Sequence, residues 1–490
     1  MNKCYSIYKK GRCLTLKYQT KEELHNRALE AKGRKLKEID ITNRLINGKG
    51  GVGQAVEEGW FNHKMDNISA PDFPEAGVEL KVTPYKRNKG NTYSAKERLV
   101  LNIIDYMTEV NKTFETSSFW NKNKLIELMH YEYIPNIEKE EYEITSAVLF
   151  QFPEDDLKII RNDWKIINDY IKAGQAHELS ESLTNYLSAC TKGANSKTLR
   201  KQPYNNIPAK QRAYSLKSGY MTYILRTYIL GEEESESIIK DKFDLEKQDL
   251  NQYILSKFKK YIGYKQSDLL ELFKINMESA PNSRNSEIVK HILGLKKDIN
   301  QAKEFQKANI QPKTIVAKRA SGKNNEEFKM LPYKFSEIIE ETWESSTLRE
   351  YLQDTNFLLI VFEDIKGDQI FKGVKFWNMP AQDIEGPVRK VWEDTTRKIK
   401  EGVEITYTPH KRTTNFINSS YENIIFSKLD APQTSYAENN PNADKLPTKI
   451  KWINRPDDLK DEFSDYWMTK QSFWLNKKYM YEVSSDLINS

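Results

Sequence analysis

Cysteine and histidine are scarce in this sequence, and long apolar runs are missing. The 490 residues include 3 Cys and 6 His. Because Cys4, Cys13 and Cys190 form no C-x-x-C pair, neither a disulfide framework nor a structural zinc site is indicated. No apolar stretch approaches the length of a membrane span, and the first residues lack the apolar core of a signal peptide. We therefore expect a cytoplasmic protein with no membrane partner.

A large excess of charge of either sign is also missing. The chain has 76 basic and 70 acidic residues, a net charge of +6 and a pI near 8.7, which permits a polyanionic partner without requiring one. Hydrophobic residues make up 38% and aromatic residues 11% of the chain, as expected of a folded protein. The length predicts two to four domains.

The order of patterns predicts a mixed α/β fold. A helix is expected over 21–40 and another after a Gly-rich segment at 47–53. Strand-like runs lie at 98–104, 124–133 and 146–152, and an amphipathic helix ends at Gly174. The acidic stretch 231–237 interrupts this periodicity. We predict domains at 1–230 and 246–490, joined by a linker at 231–245.

A charged pair interrupts an otherwise apolar strand in "APDFPEAGVELKVTPY", residues 70–85. Residues 78–83 alternate with the period of a β-strand, which puts Glu79 and Lys81 on one face. Two prolines disfavour helix around Asp72, just before the strand. One interpretation is an edge strand with a solvated, salt-bridged outer face. The other is a functional cluster at one strand end.

The functional interpretation is a magnesium-dependent phosphodiesterase site. Mg²⁺ takes oxygen ligands and keeps several waters, so Asp72, Glu79 and a phosphate oxygen suit it. Lys81 is placed to activate a water or to stabilise negative charge on phosphorus. Glu57, on the preceding helix, is placed to support the metal or its waters.

The chain also contains an internal similarity. "EEFKMLPYK" at 326–334 matches "VELKVTPYK" at 78–86, so that Glu327 and Lys329 stand where Glu79 and Lys81 stand. Counting back from Glu327 by the spacing of Asp72 to Glu79 reaches Ala320, so the second copy is predicted to lack the metal-binding Asp. Two further matches follow in order: Trp164 and Gly174 with Trp392 and Gly402, and Tyr220 with Tyr479.

These matches indicate a diverged tandem duplication whose second copy cannot hold a divalent cation. The tryptophans are predicted to anchor the core, and the glycines to end helices. The role of the two tyrosines stays open.

The spacing of Asp72, Glu79 and Lys81 resembles the PD-(D/E)xK nuclease superfamily, and "GVELKVTP" is similar to the MutH branch. Further MutH-like pieces follow in order: "ETS" at 115–117, "DW" at 163–164, "GQ" at 174–175, "KGAN" at 192–195 and "RAYSLK" at 212–217. The layout, with a second, degenerate half, is similar to the Sau-type restriction endonucleases that cut GATC.

This resemblance implies roles for individual residues. Glu57, Asp72, Glu79 and Lys81 fall on the family's catalytic positions, and Lys122 falls on an additional active-site lysine. The implied metal ligands for Mg²⁺ are Asp72, Glu79 and Glu57, and the implied DNA-binding residues are Lys192, Arg212 and Lys217. Without the resemblance, the last three would be interpreted as solvated surface charges.

The implied activity is that of a type II restriction endonuclease. It would cut both strands before the G of GATC and leave 5′ overhangs, with the second half binding an effector DNA site. The implied partners are GATC-containing double-stranded DNA, a second copy on DNA, and a cognate methyltransferase. Two alternatives stay open: a strand-nicking mismatch-repair enzyme and a non-catalytic GATC-binding regulator. Ser215 stands where MutH has the Tyr linked to sensing adenine methylation, so dependence on hemimethylated DNA is not implied.

Overall fold

The computed structural model describes residues 17–47, 51–64, 70–193, 198–246, 248–276, 281–324, 326–419 and 423–489. The helices are α1 (Lys21–Leu29), α2 (Leu36–Ile39), α3 (Arg44–Asn47), α4 (Gly51–Gln54), α5 (Tyr106–Glu109), α6 (Ser118–Asn123), α7 (Glu154–Lys172), α8 (Ser218–Ile224), α9 (Leu250–Phe258), α10 (Gln266–Leu272), α11 (Pro281–Ile292), α12 (Lys303–Ala308), α13 (Phe335–Ile338), α14 (Thr347–Asp354), α15 (Ala381–Asp383), α16 (Arg389–Glu401), α17 (Lys477–Val483) and α18 (Ser485–Asn489).

The strands are β1 (Glu79–Arg87), β2 (Tyr93–Ala95), β3 (Leu99–Ile103), β4 (Ile126–Glu132), β5 (Ile144–Phe150), β6 (Leu187–Thr191), β7 (Leu199–Gln202), β8 (Asn205–Lys210), β9 (Arg212–Leu216), β10 (Ile310–Lys318), β11 (Lys323–Asn324), β12 (Phe328–Tyr333), β13 (Asn356–Ile365), β14 (Asp368–Trp377), β15 (Glu404–Thr408), β16 (Lys411–Thr414), β17 (Ile425–Leu429), β18 (Ala443–Lys445), β19 (Lys451–Ile453), β20 (Trp467–Thr469) and β21 (Gln471–Leu475). The mixed α/β fold class is confirmed. Among the described residues, no helix combines the length and apolarity needed to cross a membrane.

Two compact units make up the chain. Unit 1 contains the described residues of Met1–Ser235, Ile239–Leu250 and Lys303–Asn309, and unit 2 contains those of Glu236–Ile238, Asn251–Ala302 and Ile310–Ser490. The predicted boundaries place 303–309 with the second half, whereas these residues, which form helix α12, belong to unit 1. A sequence pattern reports local periodicity and not which core a short helix joins.

The helices and strands predicted for unit 1 largely form, but one predicted helix is divided in two. The predicted helix over 21–40 forms as α1 and α2, because Gly33 between them has a φ of +82° and its N–H donates to the carbonyl of Ile144. The predicted strands form as β3, β4 and β5, and the amphipathic helix forms as α7, followed by Gly174 with a φ of +69°.

Both units contain the same four-stranded sheet. In unit 1 the strand order is β2-β1-β4-β5, and in unit 2 it is β11-β10-β13-β14. In each, the second and third strands run parallel and the two outer pairs run antiparallel. A three-stranded antiparallel sheet follows in each, β3-β9-β6 and β12-β21-β17. The tandem duplication is therefore visible in the topology.

The register of the two sheets identifies equivalent positions. The antiparallel ladder to β5 begins at Ile126 and the ladder to β14 begins at Phe357. Opposite these residues, on the parallel neighbour, lie Glu79 in unit 1 and Gln311 in unit 2. Gln311 is therefore the counterpart of Glu79.

The predicted counterpart of the charged pair was wrong. Glu327 and Lys329 lie just before and on β12, which pairs antiparallel with β21 and is the counterpart of β3, not of β1. Both residues form ion pairs there, Glu327 with Lys428 and Lys329 with Asp430. Ala320 lies in the turn after β10 and so cannot stand for Asp72.

The other matches mark equivalent places. Trp164 on α7 and Trp392 on α16 are 5% and 4% exposed, as expected of core anchors. Gly402, with a φ of +99°, ends α16 as Gly174 follows α7.

The open role of the two tyrosines is also resolved. The Tyr220 hydroxyl donates to Asp156 over 3.0 Å, and the Tyr479 hydroxyl donates to Asp383 over 2.8 Å. The same tyrosine–aspartate bond thus ties α8 to the start of α7 in the first copy, and α17 to α15, which precedes α16, in the second.

Candidate active site

Strand β1 carries the first two site residues into the interior of unit 1. It lies between β2 and β4, and Glu79 has no exposed surface. Lys81 Nζ lies 2.5 Å from Glu79 Oε1, so the buried carboxylate is paired with a cation on the same strand face. The alternative of a solvated edge strand is therefore wrong.

Asp72 reaches the same place from the turn before the strand. Phe73 and Val78 form an isolated bridge that closes this turn. The Asp72 N–H donates to Glu79 Oε2 over 3.1 Å, and the Leu80 N–H donates to Asp72 Oδ2 over 3.1 Å. These reciprocal bonds fix the two carboxylates relative to one backbone segment, which predetermines their orientation.

Lys122 joins the two carboxylates from helix α6. Its Nζ lies 3.4 Å from Asp72 Oδ1 and 3.4 Å from Glu79 Oε2. Burial acts to lower the pKa of Lys122, but the attraction of the two carboxylates outweighs it and the pKa is raised. Lys122 is therefore held as an ammonium between two acidic groups.

The site has a strong effect on its carboxyl groups. Burial raises the pKa of Glu79 to about 7, with Lys81 acting against the rise and Asp72 adding to it. Burial and the negative charge of Asp72 also raise the pKa of Glu57. Perturbation of this kind is typical of functional sites.

Glu57 lies on the π turn Ala55–Trp60, which continues α4. Its Oε1 is 2.9 Å from Nδ1 of His63, and the His63 N–H donates to the Glu57 carbonyl over 3.1 Å. The His63 ring packs on Phe73 with centroids 4.9 Å apart. His63 therefore links the Glu57 turn to the Asp72 turn. The sequence alone does not single out His63, because no local motif marks a histidine that closes such a turn.

Comparisons with known proteins agree with this geometry. The family model of the DNA mismatch repair enzyme MutH matches residues 61–163, the segment that holds Asp72, Glu79, Lys81 and Lys122. The type II restriction enzyme Sau3AI of Staphylococcus aureus is 45% identical over 493 residues, which cover 96% of this chain and 99% of that enzyme. The chain belongs to the Sau3AI family of type II restriction enzymes.

MutH proteins match a smaller part of the chain. The DNA mismatch repair protein MutH of Shewanella woodyi is 27% identical over 191 residues, 37% of this chain and 79% of that protein. The MutH of Shigella flexneri is 25% identical over 224 residues, 43% of this chain and 94% of that protein. This Sau3AI-family chain is thus an enzyme of the site-specific deoxyribonuclease class, with two tandem MutH-like domains.

The second copy in this Sau3AI-family chain retains the lysine and loses the carboxylate. Lys313, two residues after Gln311, stands at the position of Lys81. The Gln311 side-chain carbonyl accepts from the Tyr351 hydroxyl over 2.7 Å, and Lys313 donates to the Lys329 carbonyl over 3.2 Å. Glu-x-Lys has become Gln-x-Lys, which makes the second copy degenerate.

The three predicted DNA-binding residues lie in different surroundings. Lys192 is exposed directly after β6, and Ala194 and Asn195 of the same motif lie outside the described residues. Arg212 is 6% exposed and donates to the carbonyls of Ala189 and Leu179.

Lys217 is fully buried. Burial raises the pKa of the neighbouring Asp163 to about 6, and Lys217 acts against this rise. DNA contact by Arg212 or Lys217 would thus require these internal interactions to break. Lys192 is already exposed and can reach DNA without such a change.

Ser215, at the position linked to methylation sensing, is also buried. It shares a hydrogen bond of 2.8 Å with Ser188 on the adjacent strand.

The carboxyl groups of the site suit a cation, although they do not form a closed ligand set. Among the described residues, no three Asp, Glu, His or Cys side chains already meet as a metal-binding group. Asp72 and Glu79 nevertheless present oxygen donors within one hydrogen-bonded turn, and Glu57 is close enough to Asp72 for the two negative charges to interact. Such donors fit a hard divalent cation.

Proposed function

We propose that this enzyme cuts both strands of DNA at GATC, before the G, in a magnesium-dependent hydrolysis carried out by unit 1. The observation that carries the proposal is Lys122 Nζ at 3.4 Å from both Asp72 and Glu79. This places two lysines and two carboxylates in one cluster, as the resemblance to the PD-(D/E)xK nucleases implies. The names of the Sau3AI and MutH relatives support a DNA substrate.

Asp72 and Glu79 are the residues we assign to Mg²⁺, with Glu57 supporting them. A bound divalent cation supplies Lewis-acid stabilisation of phosphate charge. The donor set supports this choice, since all three groups offer carboxylate oxygens. The pairing of Lys81 and Lys122 with these carboxylates also supports it, because the site attracts positive charge.

Lys81 and Lys122 have separate roles in the proposed step. Lys81 orients the attacking water, whose oxygen bonds to phosphorus as the bond from phosphorus to the 3′ oxygen breaks. The products are a 5′-phosphate and a 3′-hydroxyl, and the proton that the water loses is balanced by the proton that the 3′ oxygen gains. Lys122 holds Asp72 and Glu79 in register and offsets the charge that develops on phosphate.

We assign unit 2 to binding a second DNA site rather than to cleavage. The support is the change from Glu79 to Gln311 with retention of a lysine at Lys313, which removes negative charge without removing a phosphate-binding group. Assembly of two copies on DNA, and protection of host sites by a cognate methyltransferase, complete the proposal.

The strand-nicking alternative rests on the MutH relatives. The duplication argues against it, because the MutH relatives match less than half of this chain. Ser215 also argues against it, because it stands where MutH has the tyrosine linked to methylation sensing. The alternative of a non-catalytic regulator suits unit 2 alone, since unit 1 retains all of the residues assigned to catalysis.

The test is cleavage of unmethylated plasmid with Mg²⁺ by the wild type and by Asp72→Ala, with the ends mapped by sequencing. Double-strand cuts before every GATC that disappear in the variant support the proposal. Nicks alone would favour the mismatch-repair type. Binding to GATC without any cutting by the wild type would make the protein a regulator.

The role of unit 2 needs a point variant. Deletion of 246–490 also removes α12, which belongs to unit 1, so loss of activity in that truncation would not identify a role for unit 2. We expect Lys313→Met to reduce the preference for two-site over one-site plasmids and to leave one-site cleavage unchanged. An unchanged preference would contradict the effector role of this position.

A further inference from the structure

Helix α12 is a part of unit 1 that the second half of the chain supplies. Asn251–Ala302 belong to unit 2, Lys303–Asn309 belong to unit 1, and the chain returns to unit 2 at Ile310. Within unit 1, α12 packs against α8.

The centre of this contact is a buried ion pair. Lys307 Nζ lies 2.6 Å from Asp156 Oδ1, and the two side chains are 2% and 4% exposed. The same carboxylate accepts from the Tyr220 hydroxyl over 3.0 Å, and Lys307 Nζ lies 4.1 Å from the ring centroid of Tyr223. Because a buried charge is stable only when it is paired, Lys307 and Asp156 depend on each other.

The two helices approach so closely that only glycine fits at the crossing. A Cβ atom on Gly219 would lie 2.3 Å from the carbonyl oxygen of Gln306. At the edge of the contact, Lys303 pairs with Glu234 over 2.6 Å and Ser235 donates to Gln306 over 3.0 Å. The surface of α8 therefore accommodates α12 only when position 219 carries no side chain.

The contact continues toward the strand before Lys192. Helix α7 contains both Asp156 and Asp163, and the Asp163 carboxylate accepts the backbone N–H groups of Asn185, Tyr186 and Leu187 over 2.9, 2.7 and 3.0 Å. The Tyr186 ring stacks on Tyr220 with centroids 5.0 Å apart. Strand β6 then runs from Leu187 to Thr191, next to Lys192.

The position of α12 in the chain explains why the second copy has no counterpart of the Asp72 turn. Asp72 lies seven residues before Glu79, and the residue seven before Gln311 is Glu304 (79 − 72 = 311 − 304). Glu304 lies on α12, is 3% exposed and accepts the Ile239 N–H over 3.4 Å. The segment that supplies Asp72 in the first copy is thus a docking helix in the second.

We propose that α12 is a docking element, supplied by the second half of the chain, that completes unit 1 and holds β6 and the adjoining Lys192 in the position that binds DNA. This inference rests on the proposed role of Lys192. Cleavage then depends on Lys307, although this residue has no contact with Asp72, Glu79 or Lys122.

The test compares full-length Lys307→Met with the wild type. Hydrogen exchange should accelerate at the amides of Asn185, Tyr186 and Leu187, and kcat/KM on a one-site GATC plasmid should fall roughly 2- to 30-fold through a higher KM. Ca²⁺-induced thermal stabilisation, a readout of the carboxylate site, should not change. Lys165→Met, which removes an exposed lysine on α7 paired with Asp169, is the matched control.

Lys307→Met leaves Asp156 buried without its partner and could unfold the protein for that reason alone. The double variant Asp156→Asn/Lys307→Met separates the two effects, because it removes both buried charges and keeps a hydrogen-bond partner for Tyr220. We expect it to refold normally and still to show fast exchange at the three amides. Wild-type exchange in both variants would overturn the proposal. Because exchange is measured without cleavage, this outcome is distinct from a failure of the wild type to cut GATC.

Discussion

Lys81 Nζ lies 2.5 Å from Glu79 Oε1, and the two residues are neighbours on one face of a central strand. The lysine does not fully offset the cost of burial, since the pKa of Glu79 is still raised to about 7. The burial of Glu79 thus brings its pKa close to neutral pH.

A pH-dependent stability follows from Glu79. A carboxyl with a raised folded-state pKa stabilises the fold below its unfolded pKa, and this contribution is lost as the pH rises through about 7. We expect the Tm of Glu79→Gln minus that of the wild type to become more positive between roughly pH 5 and pH 8. Thermal denaturation without added cations measures this difference, and a flat difference would contradict the raised pKa.

The bridging lysine should be essential for cleavage. Lys122→Met removes the ammonium that contacts both Asp72 and Glu79, and we expect kcat to fall about 100-fold or more. Lys124→Met, at the exposed end of the same helix, is the control. Retention of wild-type kcat by Lys122→Met would remove this residue from the catalytic set.

His63 should act by orienting Glu57. His63→Asn keeps a donor near the position of Nδ1, whereas His63→Phe keeps the packing on Phe73 and loses the bond of 2.9 Å. We expect the Phe variant to need about tenfold more Mg²⁺ for half-maximal rate, and the Asn variant to stay close to the wild type. Equal behaviour of the two variants would assign His63 to packing alone.

Restoring one carboxylate should not reactivate unit 2. Gln311→Glu recreates Glu-x-Lys with Lys313, but the segment that would supply the Asp is helix α12 of unit 1. In an Asp72→Ala background we expect no cleavage with Gln311→Glu. Recovered cleavage would show that unit 2 holds a second carboxylate near position 311.

Lys192 and Arg212 should differ in their effects on DNA binding. Lys192→Met removes an exposed charge and should lower the slope of log affinity against log salt by roughly 1. Arg212→Met removes hydrogen bonds to the carbonyls of Ala189 and Leu179, so it should lower the Tm and leave the slope unchanged. Binding titrations at several salt concentrations, paired with thermal denaturation, separate the two.

The proximity of Asp72, Glu79 and Lys81 could be predicted from sequence because these residues are close along the chain and two of them lie on a strand of clear periodicity. Asp72, Glu79 and Lys81 lie within ten residues, and the prolines on either side of Asp72 disfavour a helix that would carry it away from the strand. The burial of Arg212 and Lys217 could not be predicted, since a basic residue in a β-rich segment has the same local pattern whether it faces solvent or carbonyl groups.

The duplication was predicted correctly, but one of its alignments was not. "EEFKMLPYK" resembles the catalytic strand more closely than "IQPKTIVAK" does, yet the latter forms the equivalent strand, β10. Strand partners and register are set by long-range pairing, which a local match does not report. The lost carboxylate made the true counterpart unrecognisable.

The late position of α12 also affects synthesis of the enzyme. Unit 1 cannot acquire Lys307, and so cannot neutralise Asp156, until the ribosome has passed residue 309, well beyond the end of the first half. At about 5–20 residues per second, the stretch after residue 250 adds roughly 3 to 12 s. A nascent chain therefore carries Asp72, Glu79, Lys81 and Lys122 for several seconds before the last segment of unit 1 has been made, so unit 1 can finish folding only after this interval.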